Sequence, residues 1–138
     1  MKKTVIMIVA VFALAVLGIL ICSAPRTFGN GIDASEVDHI NVFDGNTGVG
    51  FTIDRPEDIR HIVESIQSRL MKRNGLSFGH MGYSFRISYI NEKDKNIIPE
   101  FIVNSDDTIR RDPFFYRCEG GLCYYYLKTM EEAYASRR

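Results

Sequence analysis

Twenty residues without a charge or a proline, Val5 to Ala24, follow Lys2, Lys3 and Thr4 at the start of this chain. As an α-helix, at ~1.5 Å per residue, they reach ~30 Å, the thickness of a bilayer's hydrocarbon core. The run constrains the compartment and the redox environment of everything after it. It exceeds the apolar region of an ordinary signal peptide. Pro25 follows Cys22-Ser23-Ala24 and disfavours cleavage there, and Thr27-Phe28-Gly29 before Asn30 is a weaker site far from the run. Cys22 as a lipoprotein cysteine is disfavoured by the bulky Ile21 before it. The expectation is an uncleaved signal anchor over residues 1–24, with a cleaved signal peptide or a lipoprotein as alternatives. Lys2 and Lys3 favour a cytoplasmic N-terminus, with Arg26 alone on the other side. All three readings place the remainder outside the cytoplasm: single-pass in the cell membrane, or secreted.

After the anchor and a linker over 25–35 that includes Pro25, Gly29, Asn30 and Gly31, roughly 105 residues remain, enough for one compact domain over 36–138. The chain carries 17 basic and 17 acidic side chains; without Lys2 and Lys3 the count is 15 against 17. No basic excess points to nucleic acid, which is excluded as an expected partner.

Alternation and turn residues divide the domain. Val37–Asp44 and Gly48–Ile53 read as a hairpin around Asp44-Gly45-Asn46-Thr47. Asp54-Arg55-Pro56-Glu57 reads as a helix start with Asp54 as the cap. The helix is expected to reach about Lys72, burying Ile59, Ile62, Val63, Ile66 and Leu70, with Lys72, Arg73 and Gly75 closing it. His80–Ile90 is the strongest strand, with Met81, Tyr83, Phe85, Ile87 and Tyr89 on one face. Asn96–Val103 is a fourth strand, and Thr108–Cys118 a fifth, interrupted near Asp112-Pro113. Leu122–Ala135 is a second helix, with Tyr126, Leu127, Met130, Ala133 and Tyr134 as its buried stripe. The predicted class is therefore α+β: an N-terminal transmembrane helix, then an antiparallel sheet of about five strands with two helices on one face, in the order ββαβββα. A half-open barrel around the first of those helices is the alternative.

Ile53-Asp54-Arg55-Pro56-Glu57-Asp58-Ile59 with Ile62 and Ile66, Gly82-Tyr83-Ser84-Phe85-Arg86-Ile87 and the Tyr-rich C-terminal segment carry a resemblance. With these the chain resembles small extracytoplasmic domains of unknown function from Gram-positive bacteria. The resemblance implies a compartment and a domain type, and no catalytic residue.

Outside the cytoplasm, Cys118 and Cys123 are expected to form a structural disulfide pinning the fifth strand to the second helix. Their Cys-x₄-Cys spacing disfavours a redox pair, and partner ligands for a metal are missing at matched spacing. His39, His61 and His80 are scattered, and HExxH is absent. Ser84 sits inside a strand pattern rather than a nucleophile elbow. Gly48-Val49-Gly50 lacks the third glycine of a dinucleotide site. Asp106-Asp107 fits a turn. No catalytic residue, metal or cofactor is expected. The one suggestive surface is Arg110, Arg111 and Arg117 with Tyr124 and Tyr125, since Arg and Tyr are enriched in protein-binding surfaces. The sequence reading is a membrane-anchored, non-catalytic module that binds an envelope or secreted protein. The alternative is a small-ligand sensor or enzyme with a pocket between sheet and helices.

Overall fold

The computed structural model describes residues 2–137; the side chains of residues 20–23, the Cys22 thiol and with it the lipoprotein reading included, lie outside that description. The elements run α1 (Lys2–Ser23), a 3₁₀ turn (Ala34–Glu36), β1 (His39–Asp44), β2 (Gly50–Ile53), α2 (Pro56–Gln67), β3 (Lys72–Leu76), β4 (Phe85–Ile90), β5 (Phe101–Val103), β6 (Thr108–Arg111), β7 (Phe114–Arg117) and α3 (Tyr124–Ala135). The protein is α+β, with an N-terminal apolar helix followed by an antiparallel sheet. That sheet has seven strands in the order β2-β1-β4-β5-β6-β7-β3, not about five.

Both extra strands have a local cause. Lys72, Arg73 and Gly75 look like the basic, glycine-closed end of a helix, but α2 stops at Gln67 with Ser68 as its cap. The residues beyond it turn into β3, which pairs with β7. The expected fifth strand is a hairpin. The chain reverses at the cis Asp112–Pro113 peptide, and β6 pairs with β7 from Thr108↔Arg117 to Arg111↔Phe114. Likewise β4 starts only at Phe85, and of Asn96–Val103 only the last three residues form a strand.

The start of α2 also differs. Pro56 takes the first helical position, so Arg55 becomes the cap residue and Asp54 falls one place outside. No side chain caps the helix; the Arg55 carbonyl accepts from the amides of Asp58 and Ile59.

Register puts Ile40 and Val42 of β1, Phe51 and Ile53 of β2, Phe85 and Ile87 of β4, Phe101 and Val103 of β5, Ile109 of β6 and Tyr116 of β7 on one face. All are buried, and they form one core with Ile59, Ile62, Val63 and Ile66 of α2 and Leu127 of α3. Side chains alternate across a strand, so Asn41, Thr52, Arg86, Arg110 and Arg117 stand on the reverse face. α3 departs from its expected stripe: Ala133 is exposed, whereas Glu131 is buried.

α1 is long and apolar enough to cross a membrane, and none of Lys2–Ile19 is buried. By length and composition it fits a membrane anchor or a signal sequence. Residues 25–35, expected as a linker, are packed onto the domain. Arg26 and Met71 exchange both backbone hydrogen bonds at 2.9 Å. Phe28 is buried edge-on against Tyr116, with ring centroids 4.8 Å apart. The Gln67 Nε2 donates to the carbonyls of Gly29 and Ile32. Only Ala24 and Pro25 separate the end of α1 from a residue bonded to the domain.

Candidate functional site

β3 is an edge strand, and its last residue and the loop after it project three large apolar side chains. Leu76 is 58% exposed, Phe78 76% and Met81 97%. Isolated exposed apolar residues are ordinary, but here three stand within six positions at one sheet edge. Met81 was expected on the buried face of the strongest strand. Gly79 and Gly82, at φ +75° and +90°, break the alternation and keep the segment out of the sheet. Leu70, expected in the buried stripe of α2, is 67% exposed because the helix ends before it.

The loop is tied down along its base. The Ser77 amide donates to the Pro113 carbonyl at 2.9 Å, and the Ser77 hydroxyl donates to Asp112. The His80 amide donates to the Ser77 carbonyl, and the His80 ring meets Phe115 edge-on at 4.9 Å. Arg110 forms the strut. Its Nε and Nη2 grip Asp112 at 2.8 and 3.2 Å, and its Nη1 donates to the His80 carbonyl at 3.0 Å. The bond to Arg110, then that to Ser77, holds the Asp112 carboxyl below the usual carboxylate range. The backbone on either side of Phe78, and up to His80 before Met81, is thus tied to the β6–β7 hairpin.

The predicted Arg and Tyr surface is divided among three places. Arg110 and Arg111 stand at the patch end of the β6–β7 hairpin; Phe114 is register partner to both Arg111 and Leu76, so exposed Arg111 borders the apolar projection. Arg117 lies at the other end of the hairpin, bonded through Nε to Asp107 at 2.7 Å. The hydroxyls of Thr108 and Ser105, then Arg117, hold Asp107 down to about 2. Tyr124 and Tyr125 belong to α3; Tyr124 packs on Phe85 and Tyr125 is exposed.

The expected disulfide is not formed: Cys118 and Cys123 are both free thiols. Their side chains serve different surroundings. Cys118 Sγ lies 3.6 Å from the Asp107 carbonyl and 3.8 Å from that of Gly120. Cys123 is turned into the core beside Ser65, and burial pushes its thiol up to about 12. A thiol held neutral in this way is a poor nucleophile for forming a bridge.

Two further polar clusters pin α3 to the rest. Asp44, fully buried at the end of β1, accepts from the Asn46 amide at 2.7 Å and from Lys128 Nζ at 3.0 Å. The same ammonium donates to buried Glu131 at 3.3 Å, and the Thr47 hydroxyl donates to that carboxylate's other oxygen. Burial raises the Asp44 pKa, but the Asn46 amide and Lys128 outweigh it, and the net shift is downward. On α2, buried Asp58 is held by Arg55 Nε at 3.0 Å and by the Tyr126 hydroxyl; that bond first, then burial, pushes Tyr126 up to about 12. A groove of about 320 Å³ opens there between β2, α2 and α3.

His39 pairs with Asp38 at 2.8 Å, and the His61 ring meets that of Tyr126 at a tilt, with centroids 4.3 Å apart. Among the described residues no group of three or more His, Cys, Asp or Glu side chains is placed to hold a metal ion. No protein family, curated protein or solved structure matches this chain.

Proposed function

We propose that the chain is a membrane-anchored, non-catalytic module. α1 holds it in the bilayer, the domain stands outside the cytoplasm, and Leu76, Phe78 and Met81 dock an envelope or secreted protein. One observation carries this reading: three large apolar side chains are exposed at the end of β3 and on the loop after it, whose backbone is tied down by Ser77, His80 and Arg110. Apolar anchors on a rigid base, bordered by an exposed Arg, are the features that concentrate energy in protein interfaces. The carboxylates of Asp44, Asp58 and Glu131 are engaged in holding α3, which supports a structural role for them.

The test is partner recovery from envelope extract with the full chain in detergent. Phe78→Asp and Met81→Asp should lose the partner while keeping the parent's melting temperature. A partner retained by the double variant would remove this site.

The groove beside Asp58 and Tyr126 favours a second reading, a small-ligand sensor. It has the volume of a small-molecule site and a polar floor. A metabolite mixture that raises the parent's melting temperature, but not that of Tyr126→Phe, would support it.

A further inference from the structure

A second surface lies at the anchor end of β3. Here a cleft of about 730 Å³ runs from Pro25, two residues past the end of α1, across the turn after α2 to the end of β7. Arg69, Lys72, Arg73 and Arg117 line it, against one acid, Glu119. Arg117 is already engaged by Asp107, and Arg73 lies over the Phe114 ring at 3.7 Å. Arg69, Lys72 and Arg73 take part in none of the ion pairs among the described residues. Leu70 projects from the same lining. The domain as a whole has no basic excess, so this concentration is local.

Position supplies the partner. Three residue steps separate Ser23 from Arg26, ~10 Å at full extension. Arg26 is hydrogen-bonded to Met71, between Leu70 and Lys72. The polar layer of a bilayer is ~5–8 Å thick on each side. If α1 spans the hydrocarbon core, this short tether holds the cleft at the level of the headgroups. Arg69 and Lys72 beside the exposed Leu70 match that interface: the cations meet phosphates and the Leu enters the acyl boundary.

We infer that this cleft binds the phosphate headgroups of anionic phospholipids in the leaflet from which α1 emerges, and so fixes the domain's orientation on the membrane. The inference rests on reading α1 as an anchor. It goes beyond the partner-binding proposal, because the apolar projection occupies the other end of β3. Leu76, Phe78 and Met81 lie at and beyond the end of the strand opposite to the one that would rest on the bilayer.

The chain contains no Trp, so Leu70→Trp makes a single reporter. The full-length variant is placed in nanodiscs of phosphatidylcholine alone, or of phosphatidylcholine with phosphatidylglycerol. Anchoring is read separately, as co-elution of chain and disc after an alkaline wash. In the anionic discs the indole emission should move to the blue and be quenched by brominated lipid. In the neutral discs it should stay water-like. Arg69→Gln with Lys72→Gln should abolish the difference. So should molar salt on the unaltered cleft, where screening falls to ~3 Å, an arm that does not depend on how the charge variants fold. A chain that stays in the discs, with the same emission in both lipids, would overturn the headgroup site and leave the anchor standing. A chain washed out of the discs would overturn the anchor and the inference with it.

Discussion

Lys128→Met isolates the network that fastens α3 to the first hairpin. Met keeps most of the stem beside the Phe85 ring, which the ammonium approaches to 5.1 Å, and removes only the charge. Asp44 is fully buried and Glu131 is 6% exposed, and the two carboxylates share this one ammonium at 3.0 and 3.3 Å. Breaking a fully buried ion pair costs about 3–5 kcal/mol. The Lys128 side chain is 33% exposed, so water screens part of the interaction, and the expected cost is about 2–3 kcal/mol at neutral pH. At ~4–8 °C per kcal/mol for a domain of this size, the melting temperature should fall by about 10–20 °C.

The pH dependence carries the sharper test. In the parent the folded Asp44 pKa is depressed, so its contribution is complete above the unfolded value of ~3.9 and is lost as pH falls through the folded value. In Lys128→Met the cation is gone, only the Asn46 amide still opposes burial, and the carboxyl's pKa rises above its value in the parent. The variant's penalty is then full above that raised value and shrinks as pH falls through it. The stability gap between parent and variant should therefore narrow on acidification from pH 7 to pH 3, through the variant's value toward the parent's. Urea denaturation of the full chain in detergent, followed by far-ultraviolet circular dichroism, measures it at both pH values. A gap below about 0.5 kcal/mol, or one that stays constant on acidification, would refute the reasoning.

In the same assay, Ile62→Ala should cost about 2–5 kcal/mol, because its side chain is fully buried, whereas Leu70→Ala should stay within about 0.5 kcal/mol. Comparable losses at both positions would contradict the end of α2 at Gln67. Maleimide labelling of the folded chain should modify half-exposed Cys118 first and reach Cys123 only on denaturation. Two thiols that resist labelling until reductant is added would show a disulfide instead.

The sequence made the apolar helix, the first hairpin, α2 and α3 legible, because each is written in local periodicity. The stripe Ile59, Ile62, Val63 and Ile66 is spaced for a helix, and all four are buried. The misreadings share a cause. Lys72, Arg73 and Gly75 carry the chemistry of a helix end, and only pairing with β7 makes them a strand. Thr108–Cys118 has a continuous strand composition, and the reversal at Asp112–Pro113 divides it into two. Buried Glu131 and Asp44 look like surface acids until Lys128 is placed between them.

The candidate site was legible only at its rim, through Arg110 and Arg111. Met81 fitted a buried alternation with Tyr83 and Phe85. Only Gly79 and Gly82, read as backbone breaks, could have signalled that it stands outside the sheet. The spacing of Cys118 and Cys123 showed proximity along the chain but not that one thiol turns toward the Gly120 carbonyl and the other into the core.

The central claim, that the locked apolar projection is a protein-docking surface, is tested most directly by photo-crosslinking in the native membrane. A benzophenone side chain replaces Met81, Phe78 or, as a control, exposed Glu132 on α3. The account predicts one protein adduct of constant mass from positions 78 and 81, competed by excess unlabelled full chain, and none from position 132. Equal adducts from all three positions, or from lipid alone at 78 and 81, would contradict it.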